Sequence, residues 1–127
     1  MRVRSITVAV LVLTALVAIL PLLATAARQQ PREITLVAKK MAFYVEGRPV
    51  PNPIIHLKPG ERVRLTLKNE DKGVLHDFAI RDLGVGTPTL RGAESASVVF
   101  DVPPKTAEYR YVCRPHSKMM GGRVAVE

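Results

Sequence analysis

Hydrophobic and polar positions follow two different rules along this chain. From Ile6 to Ala27 there are 22 consecutive uncharged residues, dominated by Leu, Val, Ile and Ala. Arg2 and Arg4 precede this run, Pro21 interrupts it near its end, and Ala24-Thr25-Ala26 sets small residues at the −3 and −1 positions of a cleavage site. That is the tripartite pattern of a secretory signal. A run of this length also suffices to cross a bilayer core, which takes roughly 20 residues. Residues 1–27 are therefore expected to be a signal peptide or an N-terminal membrane anchor through residues 6–27, and residues 28–127 a single folded domain. Either role exports the domain to the periplasm or the outer face of the cytoplasmic membrane, with the basic start left inside.

After Pro31 the pattern changes from continuous to alternating. The clearest strand is Arg62-Val63-Arg64-Leu65-Thr66-Leu67-Lys68, with Val63, Leu65 and Leu67 on one face and polar residues on the other. Glu33–Ala38, Ser97–Val102, Glu108–Cys113 and Arg123–Val126 read as further strands, placing Ile34 with Leu36, Val98 with Phe100 and Val102, and Tyr109 with Tyr111 and Cys113. Turn signals separate them: Glu46–Pro49, Lys58–Glu61, Asn69–Gly73, Gly84–Gly86, Pro103-Pro104 and Gly121-Gly122. The stretch Pro49–Pro53 reads as an extended connector. Nothing after residue 30 repeats at 3.6 residues over a helical length. Short alternating strands between such turns predict an all-β domain, an antiparallel sandwich or barrel.

Composition narrows the function. The 127 residues carry 19 Lys+Arg against 11 Asp+Glu, and without Arg2 and Arg4 the surplus is still +6. These charges are scattered and alternate with apolar positions, and no basic stripe is interleaved with aromatics, so no nucleic-acid partner is expected. A basic surface leaves acidic partners or anionic lipid headgroups open. A single cysteine excludes an intramolecular disulfide framework and any centre that needs two thiolates from one chain.

That cysteine has unusual company. Cys113-Arg114-Pro115-His116-Ser117-Lys118-Met119-Met120-Gly121 gathers the thiol, an imidazole and two thioethers where a strand ends, and His76 adds a second imidazole after the Asn69–Gly73 turn. Alone, each of these has a plainer role: a lone Cys is commonly a small buried hydrophobe and a Met pair core filler. Together, a thiolate, two imidazoles and a weak thioether make the ligand set of a mononuclear copper electron-transfer site. Zinc is disfavoured because the fourth donor is a thioether. His56, within Ile54-Ile55-His56-Leu57, has no such neighbours and reads as a non-ligand strand residue. Asp77 reads as a surface carboxylate, with a minor second option of orienting an imidazole.

The pattern Tyr111-x-Cys113-x-Pro115-His116-x-x-Met119-x-Gly121 resembles the C-terminal copper loop of the cupredoxins, and its short spacing is most similar to the amicyanin type, with plastocyanin a further relative of the loop. Lys58-Pro59-Gly60-Glu61, an alternating strand, Asn69 and then His76-Asp77-Phe78 follow the order in which that family presents its first histidine. The resemblance implies a Greek-key β-sandwich of about eight strands with the metal at one end. It implies one type 1 copper per chain, with His76, Cys113 and His116 equatorial and Met119 axial. Met120 is the alternative: counted forward from Cys113 the axial residue is Met119, counted back from Glu127 it is Met120, and Gly121 favours Met119.

The function so implied is an exported, monomeric blue copper protein that carries single electrons between redox protein partners, with the edge of His116 as the electron's portal. The alternative is periplasmic copper delivery or storage, with which the Met119-Met120 doublet is compatible. An enzyme is not expected. A copper nitrite reductase needs a second, catalytic copper built from further histidines, and only His56 is left over.

Overall fold

The computed structural model describes residues 30–127; the segment expected to be a signal or anchor lies outside the described residues. Among the described residues there are nine strands, in order β1 (Arg32–Lys39), β2 (Ala42–Val45), β3 (Ile55–Leu57), β4 (Arg62–Asn69), β5 (Ala79–Ile80), β6 (Val85–Gly86), β7 (Ser95–Asp101), β8 (Ala107–Val112) and β9 (Gly121–Val126). The one helical element among them is a 3₁₀ turn at Arg81–Leu83, and no helix among them is long and apolar enough to cross a membrane.

The strands form two sheets, β2-β1-β4-β7 and β3-β9-β8-β5-β6. This is the expected all-β sandwich, with nine strands among the described residues in place of about eight, two of them, β5 and β6, only two residues long. Alternation explains how it closes. Val63, Leu65 and Leu67 of β4 are buried beside Leu36 of β1, while Tyr111, Val124 and Val126 of β8 and β9 supply the facing side of one common core. Each such side chain contributes about 1.5–3 kcal/mol when taken out of water. Phe43, Phe78 and Tyr111 fill the centre: Tyr111 stacks on Phe78 at 5.5 Å between centroids, and Phe43 meets both edge-on.

The pairing departs from a purely antiparallel expectation in two places. β1 runs parallel to β4, with Ile34 opposite Leu65 and Leu36 opposite Leu67, and β3 runs parallel to β9. In each case the chain crosses to the other sheet before it returns, and a strand that returns that way can lie alongside in the same direction. The parallel run of β1 and β4 gives the sandwich a polarity. At one pole, Arg32 Nη1 donates to His56 O and Glu127 N–H donates to Leu57 O. At the other, β4 delivers Asn69 and β8 delivers Cys113.

Gly121-Gly122 is not the turn that its sequence suggests; both residues open β9. A Cβ on Gly121 would stand 2.5 Å from Tyr111 O, and one on Gly122 would stand 2.5 Å from Tyr111 Oη. Glycine here answers to close approach of β9 and Tyr111 rather than to a change of direction. The tight reversal without glycine lies elsewhere, between β1 and β2, where Lys40 (φ 51°) and Met41 (φ 60°) both take left-handed backbone conformations. Two residues with positive φ are what a two-residue hairpin turn of matching twist requires, and Asn or Gly usually supplies them.

Candidate metal centre

Three donors meet at the pole where β4 and β8 end. His76 follows the β4 turn, held by backbone bonds in both directions to Leu90. Asn69, buried at the end of β4, shapes that turn: its Nδ2 donates to Val74 O and Leu90 O, and its Oδ1 accepts Asp71 N–H. Cys113 follows β8 directly, and His116 sits one turn later, its N–H donating to Cys113 O at 3.1 Å. The loop then closes on itself, since His116 O accepts both Met119 N–H and Met120 N–H, and Cys113 N–H donates to Met120 O.

Cys113 Sγ lies 3.7 Å from His76 Nδ1 and 3.5 Å from His116 Nδ1, and all three donor atoms are within 4.8 Å of one another. A sulfur at about 2.3 Å and a nitrogen at about 2.0 Å from a shared ion, 120° apart, stand about 3.7 Å from each other. The spacing and chemistry of the set therefore fit a single type 1 copper. His76 and Cys113 are buried and His116 is partly exposed, its ring edge-on to His76 at 5.1 Å between centroids. Burial pushes the Cys113 thiol up from its ordinary range, against the hydrogen bonds and the Arg114 charge that act the other way. Metal binding there displaces a proton.

The two methionines of the loop are placed differently. Met119 is 67% exposed, whereas Met120 is fully buried in the core beside the loop. The reason is strand alternation at the start of β9: Met120, Val124 and Val126 all face inward. The count back from Glu127 thus selects the buried methionine, and the count forward from Cys113 the exposed one.

Two carboxylates near the donors also differ from expectation. Asp77 is not on the surface but 1% exposed, where it accepts Arg114 N–H at 2.7 Å, Arg114 Nε–H at 2.8 Å and Thr89 Oγ1–H at 3.2 Å. Arg114 Nη2 continues to Thr87 O. Asp77 adjoins His76 and Arg114 adjoins Cys113, so this ion pair buckles the two donor segments together. The carboxylate that touches an imidazole is Asp71, whose Oδ2 lies 2.9 Å from His76 Nε2. It was hidden in the sequence within an ordinary turn signal. His56 keeps its expected distance from the donors: it is exposed on β3 and pairs with Glu127.

The cupredoxin-like domain family matches residues 12–126. No curated protein matches the chain. Among solved structures, the chain is similar to reduced rusticyanin at 22% identity, covering 75% of this chain and 78% of that one with a TM-score of 0.59. It is similar to auracyanin B at 22% identity, 80% and 93% coverage and a TM-score of 0.61. The dithionite-reduced auracyanin of the photosynthetic bacterium Roseiflexus castenholzii matches at 15% identity, 76% and 97% coverage and a TM-score of 0.61. At such identities the solved structures speak to the fold.

Proposed function

The chain belongs to the cupredoxin-like family, and from that membership and the geometry of its donors we propose that it is an exported, one-electron carrier with a single type 1 copper. The observation that carries this reading is the convergence of His76 Nδ1, Cys113 Sγ and His116 Nδ1 within 4.8 Å at one pole of a rigid sandwich. Copper held there supplies the chemistry, alternating between Cu(II) and Cu(I). The protein supplies the rest. Cys113 offers a soft anionic donor and the two imidazoles suit either oxidation state, so the ligands need not move when an electron passes. The backbone bonds of the Cys113–Met120 loop and the Asp77–Arg114 buckle fix the donors before any metal arrives. Buried Phe78, Leu90 and Met120 keep water from the inner side. His116, the one partly exposed donor, is the portal towards redox protein partners, which its scattered basic surroundings would recognise through acidic groups. Residues 1–27 direct or anchor the domain outside the cytoplasmic membrane.

Titration of the purified protein with Cu(II) tests this. One equivalent per chain and an intense thiolate-to-copper absorption are expected. A colourless protein that takes up only Cu(I) would instead mark a carrier of copper itself, and the electron-transfer reading would fall.

In this reading Met120, buried beside the donors, would supply the fourth, thioether donor. An axial thioether is weak and long, so its loss leaves copper bound but withdraws electron density that favours Cu(II). Met120→Leu should raise the reduction potential by roughly 60 mV, a tenfold change in a one-electron equilibrium. Met119→Leu, at an exposed position, should leave it unchanged. Voltammetry on both variants decides, and a larger shift from Met119→Leu would reverse the assignment.

A further inference from the structure

Asp71 joins two places that the sequence keeps far apart. Its Oδ2 stands 2.9 Å from His76 Nε2, while its carboxylate also accepts Lys40 N–H at 2.9 Å and Met41 N–H at 3.4 Å. We infer that Asp71 is a positioning residue that fixes His76 with a bare Nδ1 aimed at the copper position, and that its charge favours Cu(II) over Cu(I). The inference rests on the copper reading above.

The first half follows from hydrogen-bond chemistry. An ionised carboxylate can only accept, so the hydrogen shared with Asp71 belongs to His76 Nε2. In a neutral imidazole the other nitrogen, Nδ1, then carries the free lone pair, and it is Nδ1 that faces Cys113 Sγ at 3.7 Å. His76 is fully buried, so a ring flip would leave a buried N–H without a partner.

The second half follows from charge. A carboxylate on the outer N–H raises the basicity of the ligating nitrogen, and a fixed negative charge stabilises the more highly charged state of a nearby ion. Asp71 is well held for this work. Its own N–H donates to Asn69 Oδ1, and its oxygens are anchored on the β1–β2 turn beside β4 in the same sheet. The turn gains in return. Lys40 and Met41 both occupy left-handed conformations that their side chains disfavour, and the carboxylate satisfies both of their amides. One side chain thus references the His76 donor to the β1–β2 hairpin.

The two roles separate experimentally. Redox titration of the copper-loaded full chain should show Asp71→Asn moved about tenfold towards the reduced form, ~59 mV in potential. Cu(II) affinity should fall roughly 10- to 100-fold, with a smaller loss for Cu(I). Replacing the turn with residues that adopt positive φ freely, Lys40→Asn with Met41→Gly, should restore the thermal stability that Asp71→Asn loses but leave its shifted potential in place. An Asp71→Asn potential equal to wild type, or one restored along with stability by the turn replacement, would reduce Asp71 to a turn brace and overturn the inference. A wild-type chain that forms no coloured copper state would overturn the carrier reading, and this inference with it.

Discussion

Cys113→Ser is expected to abolish the intense visible absorption of the copper-loaded protein and to lower copper affinity by more than about 100-fold, beyond the 10- to 100-fold range of losses around a metal's ligands. The side chain is fully buried and nearly isosteric with serine, so the sandwich should remain. What changes is the donor. A thiolate is soft, anionic and able to transfer charge to Cu(II), whereas a serine hydroxyl stays protonated and offers a hard, weak oxygen. His76 and His116 would remain as a pair of imidazoles without the anion that balances the metal's charge. Metal analysis after gel filtration, with absorption and circular dichroism on the same sample, makes the check. Full occupancy with an unchanged band would remove Cys113 from the ligand set.

Asp77→Ala should cost about 2–3 kcal/mol of folding stability and weaken copper binding as well. The substitution leaves Arg114 N–H, Arg114 Nε–H and Thr89 Oγ1–H without their shared acceptor. Breaking a wholly buried ion pair costs roughly 3–5 kcal/mol, but the Arg114 side chain is 48% exposed and its guanidinium regains water, so the loss falls below that. Asp77→Asn keeps one acceptor oxygen and should cost about half as much. Urea unfolding of the metal-free variants measures the first effect and copper competition the second. If Asp77→Ala unfolded at the wild-type midpoint, the buckle between the donor segments would contribute nothing.

Those two residues also mark what the sequence could and could not convey. Cys113 and His116 stand out because their chemistry is local: a thiol and an imidazole three residues apart at the end of an alternating strand. Val63, Leu65 and Leu67 were equally plain, since a period of two is visible without any partner. Asp77 was not, because a lone aspartate is exposed by default, and its burial depends on Arg114 arriving from β8. Asp71 looked like turn material for the same reason. β2 is not legible because Ala42-Phe43-Tyr44-Val45 does not alternate and its turn, Lys40-Met41, carries no glycine or asparagine. Met120 was half legible. Its burial follows from the inward set of β9, whereas the forward spacing and Gly121 favour Met119, and Gly121 proves to be a matter of clearance from Tyr111 O.

The parallel course of β1 and β4 fixes how the molecule stands on whatever holds it. β1 enters at Arg32 and runs eight residues towards the donor pole, about 26 Å at the usual rise per residue of a strand. Glu127 returns to the same foot, bonded to Leu57 O near the point where Arg32 reaches His56. Both ends of the described chain therefore leave from beneath, and His116 crowns the far end. A stalk on residue 30, or a tag after residue 127, would lift the electron's portal away from its support like a lamp on a post. Immobilised on an electrode through either terminus, the protein should present the same face outward, free to meet a partner from solution.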